Sequence, residues 1–143
     1  METALAAALR EQGKRVTPQR LMIARALQEM GRHVTAELLF AEVSRRLPGV
    51  SLPTVYSTLE LLEDLGLARR VATVGGSVVY DPRVGEHHHL ICRECGTIAD
   101  IDAQVDPAAL LALARLRGFT PEDAQVAITG VCAACRSRVP TTA

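Results

Sequence analysis

The chain holds four cysteines in two pairs of identical spacing, Cys92-x-x-Cys95 and Cys132-x-x-Cys135. A Cys-x-x-Cys turn sets two sulfurs within reach of one metal ion, and a second turn completes a tetrahedral shell for zinc. One pair alone would suit thiol–disulfide chemistry as readily as metal. Two pairs with no fifth thiol favour structural zinc. A histidine run, His87-His88-His89, lies just before the first pair. It offers a second site of different chemistry, because His87 and His89 are two apart on a presumed strand and share a side, while His88 points away. An internal run of three is a poor match to a purification tag.

These residues need a scaffold, and the rest of the chain describes one. Residues 4–12 read as an alanine- and leucine-rich helix ending at Gly13. Thr17 can cap a second helix with Pro18 at its first position. Ile23, Leu27 and Met30 recur there on one buried face before Gly31 closes it. Thr35 can cap a third, with Leu39, Val43 and Leu47 inward, up to Pro48-Gly49. Ser51 and Pro53 open a fourth, with the apolar stripe Val55, Leu59 and Leu62 and a stop at Gly66.

Two β-rich runs, 67–74 and 77–80, follow, joined by Gly75-Gly76 in the manner of a hairpin. Compact helices followed by a hairpin describe a winged helix-turn-helix, in which the helix before the wing is the candidate DNA reader. Opposite its apolar stripe that helix carries Thr54, Ser57 and Thr58, flanked by Tyr56 and Glu60. Small hydroxyl side chains let a helix approach a groove closely. Residues 81–86 read as a hinge. Strands over 87–92 and 96–101 then flank the first cysteine turn. Asp106-Pro107 starts a helix running to Arg117 and stopped by Gly118, and a strand over 125–131 delivers Cys132 and Cys135.

Composition narrows the setting. Formal net charge is zero, which argues against a protein that coats nucleic acid. The basic residues are nevertheless uneven: Arg10, Lys14, Arg15, Arg20, Arg25 and Arg32 face only Glu11 and Glu29 in that stretch. There is no apolar run of about 18 residues and no signal-like N-terminus, so neither a membrane span nor secretion is expected. Cysteines arranged as ligands suit a reducing cytoplasm better than a disulfide framework. The expected location is cytoplasmic.

The combination of "RVTPQR" (15–20), "SLPTVYSTLELLEDLGL" (51–67), "HHHLICRECG" (87–96) and "GVCAAC" (130–135) resembles the ferric uptake regulator family over roughly residues 10 to 136. The resemblance implies an α+β fold with a winged-helix DNA-binding domain over 1–80, a hinge over 81–86 and a zinc-stapled α/β dimerisation domain over 87–143. It implies a metal-dependent transcriptional repressor, not an enzyme, acting as a homodimer on a double-stranded DNA operator without a small-molecule substrate. Cys92, Cys95, Cys132 and Cys135 carry over as structural zinc ligands. His33, Asp81, His87, His89 and Asp100 carry over as the regulatory metal site. Alone, His33 would be a loop histidine and Asp81 a turn residue; the joint match makes them ligands. Imidazole with carboxylate suits Fe(II) or Mn(II), whereas a zinc sensor would be expected to use thiolate. Arg15 matches a basic position that reaches a minor groove in the family, and Tyr56 one that contacts bases. Arg20, Thr54 and Ser57 complete the expected DNA face. Ser57 stands where relatives often have Arg or Asn, and Pro53 where Ala is usual, so operator preference cannot be copied from a relative.

Asp at both Asp81 and Asp100 resembles the peroxide-sensing branch, since iron-responsive members typically carry Glu at both positions, or at least at that of Asp100. In the peroxide sensors a ligand histidine is oxidised, and the resemblance points to His33 and His87. The alternative is an iron-responsive repressor of iron uptake. Glu86, Pro107 and Ala124 occupy the region of a further metal site in some relatives, so no third site is expected. A rubredoxin-like electron carrier needs no winged-helix half. A zinc hydrolase lacks its Glu-with-His motif here.

Overall fold

The computed structural model describes residues 1–71, 73 and 76–138, which fall into two compact units, Met1–Val84 and Gly85 onward. In the first unit, α1 (Glu2–Glu11), α2 (Pro18–Met30), α3 (Ala36–Arg46) and α4 (Leu52–Asp64) precede β1 (Arg69–Val71) and β2 (Val79–Asp81). Three helices begin with the same device. Thr17, Thr35 and Ser51 each accept the backbone N–H three residues on, at 3.3 Å, satisfying a donor the helix cannot satisfy itself. Gly31 ends α2 in the left-handed region, φ 56°, where a side chain would be strained.

The apolar stripes meet in one core. Leu5 and Leu9 of α1, Ile23 and Leu27 of α2, Leu39 and Val43 of α3, and Val55, Leu59 and Leu62 of α4 are all fully buried. Each such side chain stabilises the fold by about 1.5–3 kcal/mol relative to exposure. Met30 and Leu47, expected inward, only pack against the edge of this cluster. Thr58 corrects the reading of α4. It is fully buried, and its hydroxyl donates to the Thr54 carbonyl one turn back at 2.7 Å. That internal bond lets a polar side chain sit in the core, so Thr58 does not belong to an outward hydroxyl face.

β1 and β2 pair antiparallel, with Arg69 opposite Asp81 and Val71 opposite Val79. The strands are shorter than the sequence predicts, and the Gly75 end of the Gly75-Gly76 turn lies outside the described residues. The far edge of β2 takes one more partner. Val34 and Tyr80 exchange backbone hydrogen bonds at 3.0 and 2.8 Å, tying the α2–α3 connection to the strand. The basic cluster is also thinner than its sequence suggests, because Arg25 is paired to Glu2 of α1 at 2.8 Å.

In the second unit β3 (His88–Cys92) is the centre of a three-stranded sheet, ordered β4-β3-β5, with β4 at Ile98–Ile101 and β5 at Ala127–Gly130. β4 runs antiparallel to β3 through the first cysteine turn. β5 runs parallel to β3, which requires a crossover, and α5 (Ala108–Leu116) lies within it. A last turn, α6 (Ala133–Arg136), was not legible in the sequence. No residue of α5 is buried: Leu110 and Leu113 are each 58 % exposed and Leu116 81 %. Leu90 of β3 and its register partner Ile128 of β5 are also exposed. A unit of about 60 residues is marginal on its own, and this one leaves much of its apolar surface uncovered.

Candidate metal centres

The four sulfurs come together. Their Sγ atoms all lie within 4.8 Å of one another, none is in a disulfide, and Cys95 is 3.8 Å from Cys132. With Zn–S near 2.3 Å, the edge of a tetrahedral shell is ~3.8 Å. The first turn is closed by Gly96 N–H donating to Cys92 O at 2.9 Å, with Gly96 at φ 73°. The second lies at the start of α6, where Arg136 N–H returns to Cys132 O at 2.9 Å. The two turns are knitted directly, since the Cys132 N–H donates to Cys92 Sγ at 3.3 Å.

The electrostatics of these thiols fit a cation. The Cys132 N–H favours the ionised form of Cys92, whose pKa falls to about 6. Thr97 beside Cys95 lowers that thiol too. Cys135, hydrogen-bonded by Cys132 and then Cys95, is pushed up to about 12. Four sulfurs this close cannot all carry charge unless a cation neutralises them, and a bound divalent ion would hold all four as thiolates.

The nitrogen and oxygen donors form a pair in the first unit and a triple in the second. His33 Nε2 lies 3.3 Å from Asp81 Oδ2. The Val34·Tyr80 bridge explains the pairing, because one step outward in an antiparallel register puts residue 33 opposite residue 81. A pair flanking a doubly hydrogen-bonded one has the closest side chains. Asp81 Oδ1 is meanwhile held by the Arg83 N–H at 2.8 Å, which turns the other oxygen toward His33.

In the second unit His89 stands opposite Asp100 in the β3–β4 register. The Cys92 N–H donates to Thr97 O at 2.9 Å, so by alternation His89 and Asp100 occupy a close, non-hydrogen-bonded pair. His87 shares the face of His89, with ring centroids 4.6 Å apart. Their Nε2 atoms lie 3.9 and 4.0 Å from Asp100 Oδ1. Two donors about 2.1 Å from one ion stand ~3 to ~4.2 Å apart, so these three can share an ion with little movement. His87 Nδ1 is 2.7 Å from Gly85 O. A ring N–H donated to a carbonyl leaves Nε2 as a lone-pair donor, the usual outer support of a metal-binding imidazole. His88 turns the other way, as its place in the strand predicts, and its Nδ1 accepts from the Val126 N–H at 3.3 Å. Sequence reasoning missed Gly85 and Val126, whose backbone groups leave no signal in residue type, and Thr97, whose hydroxyl accepts from Cys95 Sγ at 3.1 Å.

The candidate DNA face is mixed in character. On α4, Ser57 is exposed, Tyr56 and Thr54 are half-buried, and the Ser51 and Thr54 hydroxyls bond to each other at 2.8 Å. The Tyr56 hydroxyl donates to Glu37 of α3. Arg15 is exposed, and the Arg20 guanidinium donates to its carbonyl at 3.0 Å, ordering the α1–α2 connection. No helix among the described residues is long and apolar enough to cross a membrane.

A helical unit ending in a small two-stranded sheet, followed by a unit that brings together four thiols and an imidazole–carboxylate set, is the arrangement of a metal-responsive transcriptional regulator. Residues 11–129 match the Ferric uptake regulator family, and the chain belongs to it. It is 40 % identical over 100 residues to the transcriptional regulator FurA of Mycobacterium tuberculosis, spanning 69 % of this chain and 68 % of that one. It is 33 % identical over 131 residues to the peroxide-responsive repressor PerR of Staphylococcus epidermidis, spanning 91 % and 87 %. The solved ferric uptake regulator (Fur) of Vibrio cholerae superposes with a TM-score of 0.69 at 27 % identity, covering 88 % of this chain and 98 % of that one. These relatives are regulators rather than enzymes, and the family is the one the motifs predict.

Proposed function

We propose that this chain is a cytoplasmic, homodimeric DNA-binding repressor that responds to hydrogen peroxide, with structural zinc on Cys92, Cys95, Cys132 and Cys135. His33 and Asp81 of the first unit and His87, His89 and Asp100 of the second are the ligands of one regulatory Fe(II) or Mn(II) ion. Neither group suffices alone: two donors and three donors fall short of the about six that such ions favour. The observation that carries the peroxide reading is the short carboxylate at both Asp81 and Asp100 within an all-nitrogen, all-oxygen donor set. The resemblance to PerR over most of both chains agrees with it.

When bound, a ferrous ion would supply the one-electron chemistry that turns peroxide on a neighbouring imidazole. The protein's own residues decide where that falls and what it does. The Gly85 carbonyl holds His87 with Nε2 toward Asp100, and the Val34·Tyr80 bridge holds His33 against Asp81. Transfer of one oxygen atom from peroxide to a ring carbon releases water and leaves a weaker donor. The second unit would then keep two ligands, if His87 is the target, or the first a lone carboxylate, if His33 is, and the linkage between DNA-reading and dimerising halves is lost. A hundredfold preference of the ion for the DNA-competent arrangement corresponds to about 2.7 kcal/mol, enough for a switch. α4, with Thr54, Tyr56 and Ser57, enters the major groove, and Arg15 and Arg20 approach the backbone and minor groove. The exposed α5 and the Leu90–Ile128 face join two copies.

The test compares Fe(II)- and Mn(II)-loaded protein on DNA before and after peroxide, with peptide mass analysis. The iron form should release DNA and gain one oxygen atom on a peptide containing His33 or His87, while the manganese form resists. An iron form that neither releases DNA nor gains mass supports the second reading, an iron-responsive repressor. Identity of 40 % over 119 residues to Ferric uptake regulation protein 1 of Mycolicibacterium fortuitum, spanning 82 % of this chain and 73 % of that one, favours that alternative.

A further inference from the structure

We propose that Glu37 is a positioning residue for DNA recognition: its carboxylate accepts the Tyr56 hydroxyl and fixes the half-buried ring where it emerges from the helical core. This rests on the assignment of Tyr56 as a base contact. Glu37 lies in the first turn of α3 and Tyr56 on α4, 19 residues apart, and their bond spans the two helices. A tyrosine ring is set by two torsions, and anchoring its far end leaves little freedom to lose on binding DNA. The carboxylate is well suited to the task. It sits near the helix N-terminus, where the backbone dipole favours negative charge. The Tyr56 bond is the leading cause that holds Glu37 below the usual carboxylate range, and the same bond raises Tyr56. The bond therefore persists throughout neutral pH.

Charge alone makes the opposite prediction. An exposed carboxylate beside a DNA-facing tyrosine repels phosphate, so its removal should tighten binding to any duplex. Positioning predicts weaker binding to the recognised sequence only. The sign separates the two.

The experiment uses full-length, zinc- and Mn(II)-loaded protein, a duplex selected by the wild type from a random-sequence pool, and a scrambled duplex at the same salt. Glu37→Ala should weaken the selected duplex about tenfold, in line with loss of a hydrogen bond to a charged group, and leave the scrambled one unchanged or tighter. Glu37→Gln, whose carboxamide oxygen still accepts the hydroxyl, should recover most of the affinity. Tyr56→Phe should match Glu37→Ala, and the double variant should lose nothing further. If Tyr56→Ala weakens the selected duplex while Glu37→Ala does not, the role of Glu37 is overturned. If Tyr56→Ala has no effect, the base-contact assignment fails and the proposal with it. A wild type that selects no duplex overturns the DNA-binding reading itself. Matching thermal unfolding of Glu37→Gln and wild type guards against a folding defect.

Discussion

Replacing Cys132 by Ser should strip the second unit of its zinc and then of its structure. The magnitude follows from the geometry. The Cys95–Cys132 separation of 3.8 Å matches the edge of a zinc–thiolate tetrahedron, so no strain needs to be released on binding. Structural zinc in small domains contributes about 10–16 kcal/mol of apparent binding energy. Shared equally, one thiolate carries about 2.5–4 kcal/mol, which a serine hydroxyl would largely fail to supply. That is a hundred- to thousandfold loss of zinc affinity, at about 1.4 kcal/mol per decade. The N–H that Cys132 donates to Cys92 Sγ belongs to the backbone and is present in serine too, so the substitution removes only the sulfur. Few apolar side chains of this unit are buried, chiefly Ile91, Cys92 and Cys135, so unfolding should follow. Zinc retention against a chelator, circular dichroism and sedimentation would be measured together. A Cys132→Ser protein that keeps one tightly held zinc per chain would refute the four-thiolate assignment.

Other expectations concern the imidazoles, the exposed helix and pH. His87→Ala should abolish metal-stimulated DNA binding while the helical first unit melts as before; unchanged metal dependence would count against the ligand set. Leu113→Glu on α5 should weaken dimerisation by about 3 kcal/mol or more over the two copies, beyond a hundredfold, read by sedimentation equilibrium. In the folded unit the Cys132 N–H holds Cys92 at a pKa of about 6, below the ordinary 9.0. Its ionised form therefore stabilises the unit fully above about pH 9, and that contribution is lost as pH falls through about 6. Because protons compete with zinc for the thiolates, chelator competition at a series of pH values should show zinc leaving more readily below that value.

Much of this molecule is readable from residue order because the physics is local. Thr17, Thr35 and Ser51 mark helix starts through bonds reaching only three residues, and the alternation of His87, His88 and His89 sorts the two imidazoles that share a face from the one that turns away. The failures are equally instructive. Thr58 looks like a surface hydroxyl, but a bond to its own helix turn makes it a core residue. Arg25 counts as free positive charge until folding brings Glu2 alongside it from 23 positions away. The Val34·Tyr80 pairing joins residues 46 positions apart through backbone groups, which every residue except proline possesses. α5 was legible as a helix, but nothing in its spacing says that its leucines stay uncovered within one chain.

That single bridge also governs which sequence changes the protein can absorb. His33 faces Asp81 because it directly precedes Val34, which the strand takes opposite Tyr80. Inserting one residue between His33 and Val34 would swing the imidazole to the reverse face while every side chain of the set stayed intact in composition. Evolution of this protein should therefore tolerate length variation beyond Cys135 and forbid it between α2 and α3, in a segment that looks like an ordinary loop.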